Sequence, residues 1–330
     1  MEEREYDKVL LDEATTIFKK VKSEISKVIV GQDEIIDGLF ISILSEGHAL
    51  LEGFPGLGKT MLVRSIADAF DLQFSRIQCT PDLLPADIIG TYILDVDPVT
   101  GKKTFRFEPG PIFANVILAD EINRATPKTQ SALLECMQER QATIGTQTVP
   151  MDRPFFVLAT QNPLEMEGTY PLPEAQMDRF LMKLNVEYPK PEEELKIIDR
   201  FTTINETRIS KSMSKDVLLR LQKMVRLVPV ARETKEMVVD IVNATRPDSK
   251  NAKTVTKKFV EYGASPRASI GLILAAKARA LLYGAKFVRK EDIIAVAKPV
   301  LRHRIILNFQ GEAEGIKVDG IIDDIIKGVS

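Results

Sequence analysis

Apolar and polar positions alternate with two different spacings along the first half of the chain. Apolar residues three and four positions apart predict helices, and short apolar runs predict buried strands. The predicted helices cover residues 7–28, 33–45, 59–70 and 128–138, and the predicted strands cover 48–52, 73–78, 116–119 and 155–159. Helices that alternate with strands in this way predict a doubly wound α/β fold, in which a parallel sheet is covered by helices.

Two further stretches, residues 91–110 and 142–152, alternate apolar and polar residues around Gly or Pro. This pattern predicts a β-hairpin in each stretch, inserted into a loop of the sheet.

The second half of the chain has helical spacing with almost no strand-like alternation. The segment PKPEEE after Tyr188 combines two prolines with an acidic run and predicts a hinge. We therefore expect a core domain over residues 1–188 and an all-helical domain over 189–330. In the second domain Ser265-Pro266 begins a helix that Gly284 ends, and a last helix is predicted near Val288.

Composition limits the class of protein. The 330 residues are enough for about two domains, and 44% of them are hydrophobic. A net charge of −2, with both signs interspersed, argues against a protein that coats nucleic acid or an anionic membrane. No apolar run approaches the roughly 20 residues of a membrane helix, and the acidic N-terminus does not resemble a secretion signal, so we expect a cytoplasmic protein.

The cysteines and histidines do not have the spacing of a metal site. Cys79 and Cys136 are expected to be buried and reduced. His48 and His303 are too far apart in the sequence to predict metal ligation. The cluster from Arg302 to Arg304 is interpreted as a solvated or interface face of a helix.

The segment GFPGLGKT, residues 53–60, carries the clearest chemical signal. It matches the phosphate-binding pattern GxxxxGK[ST] and lies between a predicted strand and a predicted helix, as that pattern requires. Glycines allow backbone N–H groups to surround phosphates, and the following helix directs its N-terminus toward them. Lys59 would reach the β and γ phosphates, and the Thr60 hydroxyl would bind Mg²⁺.

Two other strands end in polar residues that suit the same reaction. VILADE, residues 116–121, predicts that Asp120 holds the Mg²⁺ hydration shell and that Glu121 polarises the attacking water. Without the phosphate loop, this acidic pair would be a weak signal, because Asp-Glu after a strand is often a helix cap. FFVLATQNP, residues 155–163, ends near Asn162, which could fix the water or a γ-phosphate oxygen or only cap the turn.

The whole pattern resembles an AAA+ ATPase of the MoxR family, in the clade with a helix-2 insert that includes the ATPase subunit of magnesium chelatase. The segments that carry this resemblance are VGQDEII (30–36), LLEGFPGLGKT (50–60), RIQCTPDLLPADIIG (76–90), FEPGPIFANVILADEINRATPKTQSALLECMQER (107–140), PLPEAQMDRFLM (171–182) and SPRAS (265–269). Thr126, where proline is expected, and Cys79, where an aromatic residue is usual, depart from the family without touching a chemical position.

The resemblance implies a P-loop AAA+ core with a helical lid, and it gives roles to further residues. Asn162 matches the sensor 1 asparagine, and Arg267 matches the sensor 2 arginine that reaches from the lid to the γ-phosphate. Arg179 matches the arginine finger that acts on a neighbouring subunit's nucleotide. Arg124 is a competing interface cation, and Arg179 could alternatively form a structural salt bridge with Asp178 or Glu174.

The segment 30–32 aligns with the part of the family that contacts adenine. The full set expected to bind ATP and Mg²⁺ is Val30, Gly31, Gln32, Gly53, Pro55, Gly56, Leu57, Gly58, Lys59, Thr60, Met61 and Asp120.

The resemblance also implies a ring, usually hexameric, that hydrolyses ATP and remodels client proteins, with a partner that carries a von Willebrand factor A domain. The two hairpins are candidate substrate-engaging elements or parts of the subunit interface. One alternative is a nucleic-acid motor with a pore made locally basic by Lys102, Lys103 and Arg106, although nucleic acid is not the expected partner. A nucleotide-gated scaffold with little turnover is the other alternative.

Overall fold

The structure is a computed structural model that describes residues 8–96, 98, 101, 103–145, 147–163, 168–203 and 208–328. Asp7, at the start of the first predicted helix, and Lys102, in the first hairpin, lie outside the described residues.

Helices and strands alternate in the first half, and helices dominate the second. The helices are α1 Lys8–Ser26, α2 Asp33–Leu44, α3 Lys59–Ala69, α4 Pro85–Ile89, α5 Pro127–Glu139, α6 Glu174–Met177, α7 Pro191–Thr202, α8 Lys215–Leu227, α9 Arg232–Ala244, α10 Thr254–Phe259, α11 Pro266–Leu282, α12 Lys290–Leu301, α13 Phe309–Ala313 and α14 Val318–Ile326. The strands are β1 Ala49–Gly53, β2 Phe74–Gln78, β3 Gly90–Val96, β4 Lys103–Pro109, β5 Val116–Asp120, β6 Gln141–Ile144, β7 Gln147–Pro150, β8 Phe156–Gln161, β9 Met182–Val186, β10 Val260–Tyr262 and β11 Ile306–Leu307.

A five-stranded parallel sheet with the order β2-β5-β8-β1-β9 forms the centre of the core. The doubly wound α/β prediction is therefore confirmed, and each of the predicted strands is present within one or two residues. The edge strand β9 was not predicted. Its sequence MKLNV alternates buried and less buried residues, because successive side chains of a strand point to opposite faces of the sheet.

Apolar side chains cover both faces of the sheet. On one face a single continuous core joins α1, α2 and α3 to the lid helices α8, α9, α11 and α12. Phe40 lies inside it, with its ring centroid 5.8 Å from that of Phe18 and 5.4 Å from that of Phe70. On the other face a second core contains the buried side of α5 and the first residues of the hairpin β6–β7. The lid therefore shares its core with the N-terminal helices.

Both predicted hairpins are present as antiparallel pairs, β3 with β4 and β6 with β7. They also contact each other, because the Tyr92 hydroxyl donates a hydrogen bond of 2.7 Å to Oε1 of Gln147.

Three features of the lid differ from the sequence interpretation. Helices α13 and α14 follow α12, so the helix predicted near Val288 is not the last one. The lid also contains the short antiparallel ribbon β10–β11 in addition to its helices. The cluster from Arg302 to Arg304 is not a solvated or interface helix face. His303 and Arg304 are buried against the core, where His303 Nε2 lies 3.0 Å from the Phe180 carbonyl oxygen.

The thiols and His48 occupy apolar surroundings. Cys79 and Cys136 are free and buried, and burial raises the pKa of Cys79 to about 12 and of Cys136 to about 11. In His48, Nδ1 accepts a hydrogen bond from the Val157 N–H at 3.0 Å, so Nε2 carries the proton and donates to the Met137 carbonyl at 2.9 Å. Within the described ranges, no helix is long and apolar enough to cross a membrane.

Candidate nucleotide site

The phosphate loop lies between the end of β1 and the start of α3. Gly56 and Gly58 have φ angles of +84° and +71°, which side-chain-bearing residues rarely adopt. No atom lies within 4 Å of the position that a Cβ on Gly56 would occupy, so the loop is open on this side. Gly58 is the N-cap residue of α3, and it has no side chain that could accept a hydrogen bond from the first N–H groups of the helix. This backbone suits an anionic phosphate.

Lys59 is half-buried at the first position of α3. Its Nζ donates a hydrogen bond of 2.5 Å to the Gly53 carbonyl oxygen, across the loop. Burial lowers the pKa of Lys59, and the nearby carboxylates of Asp120 and Glu121 oppose that shift. The predicted phosphate-binding lysine and the two acids are thus electrostatically coupled.

One contact joins the adenine-binding candidates to the phosphate loop, and two others lie beside it. Gln32 Nε2 donates a hydrogen bond of 3.0 Å to the Leu57 carbonyl. Gly31, with φ +73°, lies so close to Glu193 of α7 that a Cβ would be 2.4 Å from its carboxyl carbon. The structure therefore groups the segment 30–32, the loop and the start of α7. An aromatic pair extends the group, since the rings of Phe54 and Tyr188 stack with centroids 5.0 Å apart.

Thr160 joins the two acidic residues at the end of β5. Its hydroxyl donates a hydrogen bond of 2.7 Å to Oδ1 of Asp120 and accepts one of 2.8 Å from the backbone N–H of Glu121. Both Asp120 and Thr160 are buried. Glu121 has the left-handed backbone conformation, with φ 56° and ψ 52°, which costs a residue with a side chain about 1–2 kcal/mol. The hydrogen bond from Thr160 helps to hold this strained turn.

The Glu121 carboxylate is not free in this state. Its Oε2 accepts hydrogen bonds from Gln78 Nε2 at 3.1 Å and from Arg124 Nη1 at 3.0 Å. Arg124, the competing candidate for the interface cation, is therefore paired with the predicted catalytic glutamate of its own chain.

Arg76 is a site residue that the sequence analysis missed. Its Nη2 and Nε lie 2.6 Å and 3.1 Å from Oδ2 of Asp120, and Nη2 also donates to Oε1 of Gln78. The alternation in β2, where Arg76 and Gln78 flank the buried Ile77, indicates that both side chains lie on the same face of the sheet. Placing Arg76 next to Asp120 also requires the knowledge that β2 pairs with β5.

The remaining predicted residues lie around this centre. Asn162 is buried just beyond the end of β8. Arg179 follows α6, and its Nη1 donates a hydrogen bond of 2.9 Å to the Leu134 carbonyl in α5. Arg267 lies in the first turn of α11, with its side chain 56% exposed and Nη1 3.7 Å from Oδ2 of Asp178. In the described part of the chain, the ion-pair partners of Asp178 are Arg304 and Arg267, and Arg179 is not one of them.

Comparison with known proteins decides the family. The family model described as "ATPase family associated with various cellular activities (AAA)" matches residues 48–182, and an AAA lid domain matches residues 252–325. The chain is 47% identical over 307 residues to Chaperone MoxR1 of Mycobacterium tuberculosis, covering 93% of this chain and 80% of the relative. The chain belongs to the MoxR family of AAA+ ATPases.

Two other similar proteins cover nearly all of this MoxR-family chain. Uncharacterized protein YeaC of Bacillus subtilis is 43% identical over 313 residues, covering 94% of this chain and 93% of YeaC. The crystal structure of a presumed ATPase from Cytophaga hutchinsonii superposes with a TM-score of 0.90 at 46% identity, covering 96% of both chains. The matches therefore include the lid as well as the sheet.

Proposed function

We propose that this MoxR-family chain assembles into a ring, usually hexameric in its family, and hydrolyses ATP there to remodel client proteins. The arrangement around Thr160 supports this proposal most strongly. One buried hydroxyl fixes both Asp120 and the strained backbone of Glu121, at the edge of the sheet that also carries the phosphate loop. Strained backbone held in this way is concentrated at functional sites.

Different residues of the chain bind the phosphates and the metal ion. The backbone of residues 53–60 and the N-terminus of α3 hold the phosphates, and Lys59 exchanges the Gly53 carbonyl for phosphate oxygens. Thr60 supplies a hydroxyl ligand for Mg²⁺, and Asp120 binds the water shell of the ion. When bound, Mg²⁺ neutralises charge that develops on the phosphate oxygens during transfer.

Glu121 orients and polarises the attacking water. Among the described residues, Gln78 and Arg124 both donate to Oε2, and the carboxylate has further lone pairs on Oε1 that can accept a hydrogen bond from that water. Asn162, buried at the end of the neighbouring strand, holds the same water or a γ-phosphate oxygen through its amide.

Two arginines complete the site from outside the core sheet. Arg267 reaches from the lid to the γ-phosphate, and its half-exposed side chain leaves it able to move. Arg179 acts in trans on the nucleotide of a neighbouring subunit, so hydrolysis requires assembly. Arg124 serves this role less well, because it is already bound to Glu121.

Client proteins engage the two hairpins, and a partner with a von Willebrand factor A domain works with the ring in the cytoplasm. Supporting this, the hairpin β3–β4 exposes the apolar residues Leu94, Val96 and Phe105. The relative from Mycobacterium tuberculosis is named Chaperone MoxR1. A nucleic-acid motor is disfavoured because Arg106 of this hairpin already forms ion pairs with Asp95 and Glu108, at 3.8 Å and 3.3 Å.

The proposal is tested by ATP turnover per subunit as a function of protein concentration, with particle mass recorded on the same samples. Glu121→Gln should bind ATP without turnover, and Arg179→Ala should assemble without turnover. Arg232→Ala is the matched control, since Arg232 is exposed and its ion pair in the described part of the chain is with Glu236 of the same helix, α9. Turnover that does not depend on concentration, or full activity of Arg179→Ala in intact rings, would contradict the role given to Arg179. Absence of turnover in assembled wild type would favour the nucleotide-gated scaffold.

A further inference from the structure

The carboxylate of Asp178 lies between the core and the lid, next to Arg179. Its Oδ1 accepts a hydrogen bond of 2.7 Å from Nε of Arg304, whose side chain is 4% exposed. The other donors of this guanidinium are bound to backbone carbonyls of Asp178, Phe180, Leu181 and Val300. Arg304 therefore fixes the core segment 178–181 to the end of α12, and Oδ1 is committed to this buried pair.

The second oxygen of Asp178 faces the lid helix α11. Oδ2 accepts a hydrogen bond of 3.1 Å from the hydroxyl of Ser265. Ser265 is also the N-cap of α11, because its hydroxyl oxygen accepts a hydrogen bond of 3.2 Å from the backbone N–H of Arg267. A single chain of contacts thus runs from Asp178 through one hydroxyl to the backbone of Arg267. The Arg267 guanidinium lies above the same oxygen at 3.7 Å.

We propose that Asp178 is a positioning residue for Arg267, which it places toward the γ-phosphate by holding the Ser265 hydroxyl. This inference rests on the proposed role of Arg267 in sensing ATP. Since Arg179 is the next residue in the chain, the same loop holds the lid arginine and carries the arginine offered to the neighbouring subunit. Asp178 therefore has two roles. Its Oδ1 pairs with buried Arg304 and holds the loop, and its Oδ2 positions Arg267 through Ser265.

The test separates these two oxygens. Asp178→Asn removes the charge opposite buried Arg304 and is expected to lower stability. Ser265→Ala is cleaner, because it removes only the contact to Oδ2 and the cap. Ser214→Ala is the matched control, since Ser214 caps α8 by accepting a hydrogen bond from the Val217 N–H. Ser265→Thr retains a hydroxyl and should restore the wild-type behaviour.

The measured quantity is the ratio of the Kd for ADP to the Kd for ATP, from competition with a fluorescent ATP analogue in the presence of Mg²⁺. All variants are made in the Glu121→Gln background so that ATP is not consumed. Arg267→Ala should lower this ratio at least 10-fold. Ser265→Ala should lower it about 3- to 10-fold, as expected when one hydrogen bond is lost. The double variant should be no worse than Arg267→Ala alone, because Ser265 acts through Arg267.

Four outcomes would overturn the inference. If Ser265→Ala and Ser214→Ala change the ratio equally, the effect is only loss of a helix cap. If the effects of Ser265→Ala and Arg267→Ala multiply, the two residues act independently. If Arg267→Ala alone lowers the ratio and Ser265→Ala leaves it unchanged, the positioning role is wrong while the proposed function stands. If Arg267→Ala leaves the ratio unchanged, both the positioning role and the γ-phosphate role of Arg267 are refuted.

Discussion

The hydroxyl of Thr160 provides the most direct test of how the site is held together. Thr160→Val keeps the shape and volume of the side chain almost unchanged and removes only the hydroxyl. Two hydrogen bonds are lost with it, one to Oδ1 of Asp120 at 2.7 Å and one from the Glu121 N–H at 2.8 Å. The change therefore leaves a buried carboxylate oxygen with one donor fewer and a backbone N–H without this acceptor.

The magnitude follows from these contacts. Loss of a hydrogen bond to a charged group costs about 1.5–3 kcal/mol of stability, and the unpaired N–H adds to that cost. Glu121 also loses part of the support for its left-handed conformation, so its carboxylate should shift relative to the attacking water. Because a displacement of about 1 Å can lower a rate by about 100-fold, we expect kcat to fall 10- to 100-fold. ATP affinity should change little, since the phosphate loop is untouched.

The assay measures ATP turnover and nucleotide affinity on assembled protein below the thermal transition of each variant. Thr160→Ser, which keeps the hydroxyl, should retain most of the activity. Thr129→Val controls for removal of a buried threonine hydroxyl elsewhere, because Thr129 is 1% exposed and donates to the Leu83 carbonyl at 2.7 Å. If Thr160→Val keeps kcat within twofold of Thr129→Val, the hydroxyl does not position Glu121 and the reasoning is wrong.

Three further changes probe other parts of the molecule. Burial lowers the pKa of His48 from 6.5 to about 4, so the unfolded chain takes up a proton that the folded chain excludes as the pH falls through this range. As the pH falls from 7 to 5, this histidine should therefore lower the free energy of unfolding by about 2 kcal/mol. Urea titrations should show a weaker pH dependence of this free energy for His48→Gln than for the wild type. An unchanged pH dependence would refute the assignment. Arg76→Gln removes the cation bound to Asp120, the residue proposed to bind the water shell of Mg²⁺, so the Mg²⁺ concentration for half-maximal binding of a fluorescent ATP analogue should fall about threefold or more. A rise would show instead that Arg76 supports Mg²⁺ binding. Gly31→Ala imposes a φ of +73° on a residue with a Cβ, which costs about 1–2 kcal/mol, and it displaces the Glu193 carboxylate that lies against Gly31, so it should weaken ATP binding about 3- to 10-fold. Gly315→Ala, with a φ of +67° and no atom within 4 Å, is its control, and equal ATP binding in both variants would exclude a role for the Glu193 contact.

The residues proposed to act on ATP were predictable where they lie close together in the sequence. The phosphate loop is one uninterrupted motif, and Asp120 and Glu121 lie at the end of a buried strand, so the sequence predicted roles for the two acids once the loop was taken into account. The carboxyl ends of parallel strands meet at one edge of a sheet, which is why a local pattern predicts a shared site. The prediction that these acids lie near the lysine is consistent with the electrostatic coupling of Lys59 to both of them.

The residues that support this chemistry were harder to predict, because their roles depend on which strands are neighbours. Arg76 binds Asp120 only because β2 pairs with β5, and the sequence does not state the strand order. Thr160 follows the predicted strand 155–159 and had no predicted role. Its bridging role depends on the adjacency of β5 and β8.

The role of Arg304 was also not predictable, because its partner lies far away in the sequence. In the sequence it belongs to a cluster of basic residues near the end of a helix, and such a cluster is usually solvated. Its partner Asp178 lies 126 residues earlier and follows a short helix with no buried residues. Arg304 and Asp178 come together because the sheet and the lid share one core. Since the pair is buried, loss of either residue would leave the charge of the other without its partner. The sequence can therefore predict which groups act on ATP, whereas the contacts between the lid and the core depend on how the folded chain packs.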